Sequence, residues 1–247
     1  MSGKTILITG ASKGIGRAIA LELAESGNNL LLTWNSDADG IKETLDLLSK
    51  KDVESHAFKL SLENSDEIEN FCNKIKTDMP PDILINNAAF AQKKDFPEIT
   101  NSDLEKVLSV NLKAPFQLCQ NLIEHMQKKG WGRIINISSI GGQWGGIHQV
   151  HYAASKAALI NLTRSLAKLY SKYGVISSSV TPGIINTNMT TNTLGHEIDK
   201  EILSQIPLGR LGTPEEVAKC VKYLSSDDAE YLSGSTLNIN GGMYFNS

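Results

Sequence analysis

The chain has 247 residues, of which 40% are hydrophobic and 21% are charged, and its formal net charge at neutral pH is −3. This length and composition allow one α/β domain with a large core and exclude a mainly disordered chain. The slight acidic excess argues against a nucleic-acid-binding protein, because that class needs a basic face.

Seven short segments rich in leucine and β-branched residues predict strands, and six longer segments with helical periodicity alternate with them. The strands show little polar alternation, which is typical of a parallel sheet covered by helices on both faces. We therefore predict a single Rossmann-type, doubly wound α/β domain over residues 1–247, with a seven-stranded parallel sheet flanked by helices. The predicted strands are 5–9, 30–33, 57–60, 83–85, 134–137, 175–180 and 236–239, and the predicted helices are 15–25, 38–49, 65–76, 102–129, 152–172 and 214–224.

One long polar connection covers about residues 186–206. Connections of this length inside a compact domain are usually functional, so the segment predicts a substrate loop or lid. A disordered surface insertion is the alternative interpretation.

A glycine-rich turn joins the first predicted strand to the first predicted helix. Gly10, Gly14 and Gly16 let a pyrophosphate approach the backbone closely, and the N-terminus of the following helix favours its negative charge. The turn therefore predicts a dinucleotide-binding loop of the TGxxxGxG type.

The same turn also satisfies GxSxG, the nucleophile elbow of α/β-hydrolases, with Ser12 as the nucleophile. A hydrolase would need a downstream acid and a histidine, and His148, His151 and His196 are available. This alternative leaves the motif around Tyr152 unexplained.

Tyr152 and Lys156 are four residues apart in a predicted helix, and Ser139 lies thirteen residues before the tyrosine. On a helix the two side chains stand on neighbouring turns of one face, about 6 Å apart along the axis. Because an ammonium beside a phenol favours the phenolate, we expect the pKa of Tyr152 to lie below its ordinary value of about 10. The motif predicts a tyrosine that transfers protons near neutral pH.

Pro115 lies four residues after Asn111 inside the predicted helix 102–129. Because proline has no N–H, it cannot donate to the carbonyl of Asn111, and we expect that carbonyl to bind another donor such as an ordered water. A proline kink without chemical use is the alternative.

In chain order these motifs resemble the short-chain dehydrogenase/reductase family, and the resemblance covers essentially the whole sequence. The matching elements are the glycine loop, Asn86-Asn87-Ala88, Asn111, the group of Ser139, Tyr152 and Lys156, and Pro182-Gly183 with Thr187. The resemblance implies an enzyme that transfers a hydride between a nicotinamide cofactor and a carbonyl or alcohol carbon.

The resemblance also implies a role for each matching residue. Tyr152 would be the general acid in reduction, and Ser139 would hydrogen-bond the substrate oxygen. Lys156 would bind the cofactor ribose and tune Tyr152, and Asn111 would complete a water-mediated proton relay. The implied cofactor contacts are Gly10, Ser12, Lys13, Gly14, Ile15, Gly16, Asn35, Ser36, Ser61, Leu62, Asn87, Ala88, Tyr152, Lys156, Pro182, Gly183, Ile185 and Thr187, and the substrate contacts are Ser139, Gln143, Trp144, Gln149 and Tyr152.

The end of the second predicted strand favours NADP(H) over NAD(H). An NAD-type site expects a carboxylate there for the ribose 2′-hydroxyl, whereas this chain has Trp34, Asn35 and Ser36. Lys13 adds a cation in the glycine loop. Asp37 lies just beyond, so NAD(H) stays possible.

The C-terminal segments 206–217 and 240–244 resemble those of the β-ketoacyl-acyl-carrier-protein reductases. This resemblance implies a 3-oxoacyl-thioester substrate, with an acyl carrier protein as a possible partner and fatty acid biosynthesis as the setting. Another ketone, a sugar or a secondary alcohol is the alternative substrate. An enoyl reductase would be expected to space its tyrosine and lysine more widely, and a non-catalytic cofactor-binding sensor would be expected to lack part of the tetrad.

Lysines near the ends of two predicted helices indicate a basic rim that could steer an acidic carrier protein. They are Lys128, Lys129, Lys168 and Lys172. The alternative is that they are ordinary partners of helix C-termini.

Composition also bears on metal binding, compartment and assembly. The three cysteines form no CxxC pair, so we expect neither a disulfide frame nor a metal site. We expect the protein in the reducing cytoplasm. Neither a signal peptide nor a stretch of about 18 apolar residues is present, so we expect no membrane anchor. The family resemblance implies a homotetramer with contacts through the helices around Asn111 and Tyr152 and the C-terminal tail.

Overall fold

Seven parallel strands form one sheet in the computed structural model of the chain, which describes residues 3–25, 27–190 and 203–245. The spatial order of the strands is β3-β2-β1-β4-β5-β6-β7, and every neighbouring pair is parallel. The strands are β1 (Thr5–Ile8), β2 (Asn29–Trp34), β3 (Glu54–Lys59), β4 (Ile83–Asn86), β5 (Gly132–Ile137), β6 (Val175–Pro182) and β7 (Thr236–Ile239). The predicted Rossmann-type α/β fold is confirmed.

Helices pack on both faces of this sheet. They are α1 (Gly14–Glu22), α2 (Ala38–Leu48), α3 (Ser65–Asp78), α4 (Asn101–Leu108), α5 (Ala114–Lys129), α6 (Gly141–Trp144), α7 (Val150–Tyr170) and α8 (Pro214–Ser225). Several N-termini carry the caps that the sequence indicates: Thr213 and Glu216 form a reciprocal capping box at α8, and Asn64 accepts two backbone N–H groups at α3. Such caps satisfy donors that the first helical turn leaves unpaired.

The predicted helix 102–129 is interrupted in the structure. A π-helical turn, Ser109–Lys113, separates α4 from α5, and the N–H of Ala114 donates to the carbonyl of Ser109. Pro115 follows directly, and its missing N–H removes the bond that would continue a regular helix. Single π-helical turns often mark functional sites, and this one carries Asn111.

The core consists of one apolar layer on each face of the sheet. Ile6 and Ile8 point into the layer beneath α1 and α8, whereas Leu7 lies in the layer beneath α3 and α5. Every residue of β5 and β6 is buried. This fully buried pair of strands therefore provides a rigid support for the residues that follow it.

The strand order reverses between β1 and β4, because the chain continues from β3 to the other side of β1. In open α/β sheets this reversal opens a crevice at the carboxyl ends of the strands, where ligands bind. The predicted substrate loop, 186–206, follows β6 at that edge, and its residues 191–202 lie outside the described part. Within the described residues, no helix is both long enough and apolar enough to cross a membrane.

Candidate active site

A cleft of about 700 Å³ runs along the carboxyl ends of the strands. The segments that follow β1, β2, β4, β5 and β6 all contribute to its wall. Most of the predicted site residues line it, namely Gly10, Ser12, Lys13, Gly14, Ile15, Gly16, Asn35, Ser36, Leu62, Asn87, Ala88, Ser139, Trp144, Gln149, Tyr152, Lys156, Pro182, Gly183, Ile185 and Thr187. Ser61, Asn111 and Gln143 are not in this wall.

The glycine loop is bound tightly to the end of β4. The side-chain amide of Asn87 donates to the carbonyls of Thr9 and Gly10, at 2.8 and 3.1 Å. Gly10 has a φ of +67°, and a Cβ there would lie 2.9 Å from the Cα of Ala88. Glycine is required at this position because both the backbone conformation and the close approach exclude a side chain.

The N-terminus of α1 opens onto the cleft. Among the described residues, no side chain caps this helix and no acidic residue lies in its first turn. Its first N–H groups and its dipole therefore face the cleft, an arrangement suited to a phosphate group. The structure places Ser12, Lys13 and Ile15 beside this helix end.

Tyr152 lies in the cleft wall, two residues after the start of α7. Burial raises the pKa of its phenol above the ordinary value, and a hydrogen bond with Ser139 opposes that increase. Ser139 is itself held by the N–H of Gly141, which donates to its hydroxyl at 3.1 Å. The expectation of a lowered tyrosine pKa is wrong for this structure, because desolvation disfavours the phenolate.

Lys156 is one turn further along α7 and is buried, with 1% of its surface exposed. Its ammonium donates to the carbonyl of Ile137 at 2.7 Å and lies 5.7 Å from the centroid of the Tyr152 ring. Burial lowers the pKa of Lys156 to about 7. The ammonium is therefore bound to the backbone at the end of β5, beside the phenol and without direct contact with its hydroxyl.

Two further contacts fix α7 against the end of β5. The hydroxyl of Ser138 donates to the carbonyl of Lys156 at 2.8 Å. A Cβ at Gly142 would lie 2.8 Å from the backbone of Lys156 and Ala157, so α6 packs on α7 with no room for a side chain. These contacts set the distance between Ser139 and the α7 pair.

Asn111 is fully buried behind the cleft wall. Its side chain exchanges two hydrogen bonds with the backbone of Phe90, at 2.8 and 2.9 Å, and donates to the hydroxyl of Ser155 at 3.0 Å. That hydroxyl in turn donates to the carbonyl of Tyr152 at 2.7 Å. The side chain of Asn111 thus joins the segment after β4 to the first turns of α7. Because these contacts occupy the side chain, only the backbone carbonyl of Asn111 is left for the predicted relay.

The sequence model of a family described as enoyl-(acyl carrier protein) reductase matches residues 10–244. The chain is 40% identical over 245 residues to the 3-oxoacyl-[acyl-carrier-protein] reductase FabG of Aquifex aeolicus, with 99% of this chain and 98% of the relative covered. It is 38% identical to the FabG of Vibrio cholerae, with the same coverage of each chain. The chain belongs to the short-chain dehydrogenase/reductase family.

Solved structures give the same result. A protein of Beutenbergia cavernae, described as an NAD(P)-dependent gluconate 5-dehydrogenase with bound NADP at low occupancy, superposes with a TM-score of 0.93 at 33% identity. The alignment covers 98% of this chain and 97% of that protein. A protein of Agrobacterium tumefaciens, described as a 2-deoxy-D-gluconate 3-dehydrogenase with bound NADP, superposes with a TM-score of 0.89 at 34% identity.

In this short-chain dehydrogenase/reductase, the glycine loop carries an ion pair that sequence reasoning missed. The ammonium of Lys13 lies 3.0 Å from the carboxylate of Asp37, and Asp37 also caps α2 by accepting the N–H of Gly40 at 3.0 Å. The hydrogen bond with Lys13 is the largest of the effects that lower the pKa of Asp37. Asp37 therefore lines the cleft as a carboxylate whose charge is balanced by Lys13. The acidic residues at the start of α2 were the sequence signal that could have indicated this ion pair.

Other cleft residues could not be found from motifs. Phe90 and Lys106 line the cleft from the region between β4 and α5, and the Lys106 ammonium lies 4.6 Å from the Phe90 ring centroid. Met189 contributes from the described part of the predicted substrate loop. None of these residues lies in a characteristic spacing, so no local pattern marked them.

The histidines invoked by the hydrolase alternative have other contacts. His148 lies 3.0 Å from Asp95, and His151 lies 3.2 Å from the side chain of Gln92, while His196 is outside the described residues. The guanidinium of Arg17 donates a hydrogen bond to the backbone carbonyl of Ser12 at 2.6 Å. In a short-chain dehydrogenase/reductase, Ser12 belongs to the glycine loop.

The lysines of the predicted basic rim lie where the strands begin, at the end of the sheet opposite the cleft. Lys129 contacts Asp82, which immediately precedes β4, and Lys128 pairs with Glu124. Lys172 lies 4.9 Å from the ring centroid of Tyr173, just before β6 begins. Because both helices end where the strands begin, these lysines do not border the cleft of their own chain.

Replacing Gly16 with alanine is expected to destabilise the protein by about 1–3 kcal/mol. A Cβ at Gly16 would lie 2.1 Å from the carbonyl oxygen of Gly10 and 2.5 Å from the amide of Asn87. Urea unfolding measures the change. Gly146→Ala is the matched control, because a Cβ there would meet its nearest neighbour, the Cβ of Ala153, at 3.5 Å. Equal stability of the two variants would contradict the prediction.

Proposed function

We propose that the chain is an NADPH-dependent 3-oxoacyl-[acyl-carrier-protein] reductase. The observation that carries this proposal is the placement of Ser139, Tyr152 and Lys156 in one cleft wall, in a chain similar over its whole length to FabG enzymes. The substrate would be the thioester of a 3-oxo acid, and the product its 3-hydroxy thioester.

The residues present fit a nicotinamide dinucleotide. The uncapped N-terminus of α1 suits the pyrophosphate, and Asn87 holds the glycine loop in the conformation that exposes it. Pro182, Gly183 and Ile185 line the cleft beyond β6, where we infer that the nicotinamide is held. When bound, the cofactor supplies a hydride to the substrate carbonyl carbon.

The chain's own residues handle the proton and the developing charge. Ser139 would donate a hydrogen bond to the substrate oxygen and so orient the carbonyl. Tyr152 would give its proton to that oxygen as the C=O bond becomes C–O–H, and the neutral phenol required for this is favoured by burial. Lys156 would stabilise the phenolate that remains, and the carbonyl of Asn111 would hold a water through which Tyr152 is reprotonated.

A second candidate substrate is a hydroxylated ketone such as an oxidised sugar acid. Two superposable structures are described as gluconate dehydrogenases, and Gln149 places an amide in the cleft wall. Reduction of a carbon–carbon double bond, as the family description would suggest, is less suited to this site, because the four-residue spacing of Tyr152 and Lys156 is that of carbonyl reductases in this family.

Initial-rate measurements test these candidates. Purified protein with NADPH should reduce acetoacetyl thioesters with a higher kcat/KM than 5-ketogluconate or crotonyl thioesters. A higher kcat/KM with the sugar acid would move the assignment to the second candidate. If the protein reduces no acetoacetyl thioester, whatever its carrier, the acyl-reductase proposal fails entirely.

NADPH is expected to give a higher kcat/KM than NADH. Lys13 lines the cleft beside Asp37, where we infer that it binds the 2′-phosphate, so Lys13→Ala should lower kcat/KM for NADPH by about tenfold, the value of a hydrogen bond to a charged group. The same change should leave kcat/KM for NADH nearly unchanged. Lys42→Ala, at an exposed position on α2, is the control. Preference of the wild-type protein for NADH would refute the prediction.

We also propose a homotetramer in the cytoplasm. Phe116 on α5 and Leu169 on α7 are 52% and 58% exposed, and they lie on the two helices through which the family resemblance implies subunit contacts. Cys72 and Cys119 are buried free thiols, which suits a reducing compartment. Light scattering at micromolar concentration should give the mass of four 26.9 kDa chains, and the mass of a single chain would exclude the tetramer.

A further inference from the structure

The segment that follows β4 is attached to the protein at both of its ends. The backbone of Phe90 exchanges two hydrogen bonds with the side chain of Asn111. Further along, the N–H of Lys94 donates to the carbonyl of His148, just before α7, at 2.9 Å. Gln92 stands between these two attachments and outside the cleft wall. Its side chain therefore has a role other than contact with a molecule in the cleft.

The carboxylate of Asp103, in the first turn of α4, is held by several donors. Asp103 forms the capping box of this helix with Thr100, whose hydroxyl and N–H donate to it at 2.7 and 2.9 Å. The ammonium of Lys94 donates to it at 2.6 Å, and this hydrogen bond is the largest of the effects that lower the pKa of Asp103. Asp103 is therefore ionised at neutral pH and can only accept hydrogen bonds.

The charge of Asp103 determines how the amide of Gln92 is oriented. One end of this amide lies 3.0 Å from a carboxylate oxygen of Asp103, and that end must be the NH₂ group because the carboxylate has no proton to donate. The amide oxygen then faces Nε2 of His151 at 3.2 Å. Since an amide oxygen only accepts, Nε2 of His151 carries the proton and Nδ1 does not.

His151 is a neutral hydrogen-bond donor in this arrangement. Its side chain is 3% exposed, and its Nδ1 atom has no hydrogen-bond partner within the part of the chain that the structure describes. Protonation would bury a second N–H without an acceptor, and burial lowers the pKa of the imidazole. His151 therefore does not transfer protons, although it directly precedes Tyr152, and its Nε2–H is used to bind Gln92.

The start of α7 depends on this contact because the helix has no N-terminal cap. No side chain in the described ranges caps it, and uncapped helix ends fray easily. Tyr152 is the third residue of α7 and so lies in the turn that would fray. The hydroxyl of Ser155 holds this turn through the carbonyl of Tyr152, whereas the hydrogen bond between His151 and Gln92 holds it one residue before the tyrosine.

We propose that Gln92 and His151 are positioning residues for proton transfer: they hold the first turn of α7 against Asp103 and so keep the phenol of Tyr152 within reach of the substrate oxygen. This inference rests on the proposed function, in which Tyr152 is the general acid. The anchor of the bridge is the ion pair of Asp103 with Lys94. Loss of the bridge would displace the phenol without changing any residue of the cleft wall.

Gln92→Met tests the bridge, because it removes both hydrogen bonds and keeps a side chain of similar length. With NADPH and acetoacetyl-N-acetylcysteamine, it should lower kcat by about 10- to 100-fold, the effect of a misplaced reacting group. The Kd for NADPH should stay unchanged. Lys93→Met, at an exposed position of the same segment, should keep the wild-type kcat. A wild-type kcat in Gln92→Met, or a weakened affinity for NADPH that accounts for the loss, would overturn the inference.

Two substitutions of the histidine separate the hydrogen bond from packing. His151→Leu fills the space without a donor, and it should lower kcat about as much as Gln92→Met. His151→Gln keeps an N–H donor that can reach the amide oxygen of Gln92, and it should regain most of that loss. Equal kcat values of the two His151 variants would mean that packing alone matters at this position, and the inference would fail.

A double-mutant cycle shows whether Gln92 acts through Tyr152. In the Tyr152→Phe background no phenol proton remains to be positioned, so Gln92→Met should cause no further loss of the single-turnover rate. A loss that multiplies with that of Tyr152→Phe would assign Gln92 a general role in stability and overturn the inference. Wild-type turnover of Tyr152→Phe alone would refute the acid role of Tyr152 and the inference with it.

Nuclear magnetic resonance of the NADPH-bound protein tests the bridge independently of turnover. With isotope-labelled tyrosine, the ring signal of Tyr152, assigned by its loss in Tyr152→Phe, should shift or broaden in Gln92→Met and stay in place in Lys93→Met. If the wild-type protein reduces no acetoacetyl thioester, the proposed function fails, and a shifted Tyr152 signal still supports the bridge. An unchanged signal in Gln92→Met would overturn the inference even when the wild-type protein is active.

Discussion

Tyr152→Phe is expected to lower kcat for reduction of an acetoacetyl thioester by about 10²- to 10⁴-fold, the range for a positioned general acid. The phenol hydroxyl is the one group in this site that can deliver a proton to the substrate oxygen in our proposal, and phenylalanine removes only that hydroxyl. Ser139 would still bind the carbonyl. Steady-state and single-turnover rates with NADPH measure the loss.

The fold and cofactor binding should survive this change, because the backbone around Tyr152 is held by other residues. Ser155 donates to its carbonyl, and Ser138 holds α7 through Lys156. Tyr170→Phe, near the end of the same helix, is the control and should retain wild-type turnover. NADPH titration by fluorescence should give the same Kd for both variants. Turnover of Tyr152→Phe close to that of the wild type would show that another group is the acid.

Lys156→Met is expected to lower kcat/KM by about 10- to 100-fold while making the free protein more stable. The activity falls because the ammonium's hydrogen bonds to charged or developing charged groups contribute about 1.5–3 kcal/mol each. Stability rises because a buried ammonium is desolvated, as its pKa of about 7 indicates, and methionine fills a similar volume without a charge.

The sign of the pH dependence follows from that pKa. Between about 7 and the ordinary lysine value of 10.5, the unfolded chain carries the proton at Lys156 and the folded chain does not. Unfolding therefore takes up a proton, and the contribution of this group to the free energy of unfolding increases with pH across that window, by at most about 1.4 kcal/mol per pH unit. Below about pH 7 the contribution is constant.

Urea unfolding of the cofactor-free protein between pH 6.5 and 9.5 measures this slope. The wild type should gain stability relative to Lys156→Met as the pH rises, so the stabilising effect of the substitution is largest at the acidic end. Lys168→Met, on the exposed face of the same helix, should show the wild-type slope. Parallel pH profiles for wild type and Lys156→Met would contradict a depressed lysine pKa.

Much of the fold could be predicted because its signals are local. Apolar runs without polar alternation marked the strands, and all seven were found within a few residues of their observed bounds. The prediction of one helix over 102–129 was wrong because the π-helical turn at Ser109–Lys113 depends on how the chain packs around Asn111. Pro115 indicated a disturbance there, but its form is set by the contacts of Asn111 with Phe90 and Ser155.

The sequence by itself determined the chemistry available to this protein: a strand, turn and helix for a phosphate, and a tyrosine, a lysine and a serine for proton transfer. These are set by residue type and by spacing along one element. Only the tertiary structure decided the electrostatic state of the groups, because burial depends on distant segments. It raised the pKa of Tyr152 and attached Lys156 to the carbonyl of Ile137, nineteen residues earlier in the chain.

Tertiary structure likewise decided which residues share a surface. Lys13 and Asp37 belong to different βα units and meet across the cleft wall, and Trp144 meets Tyr244 of the C-terminal tail. The lysines that end α5 and α7 lie at the edge away from the cleft, because in a parallel sheet each helix runs back to where the next strand begins. Local spacing along the chain carries no information about such contacts, since they depend on the spatial order of the strands in the sheet.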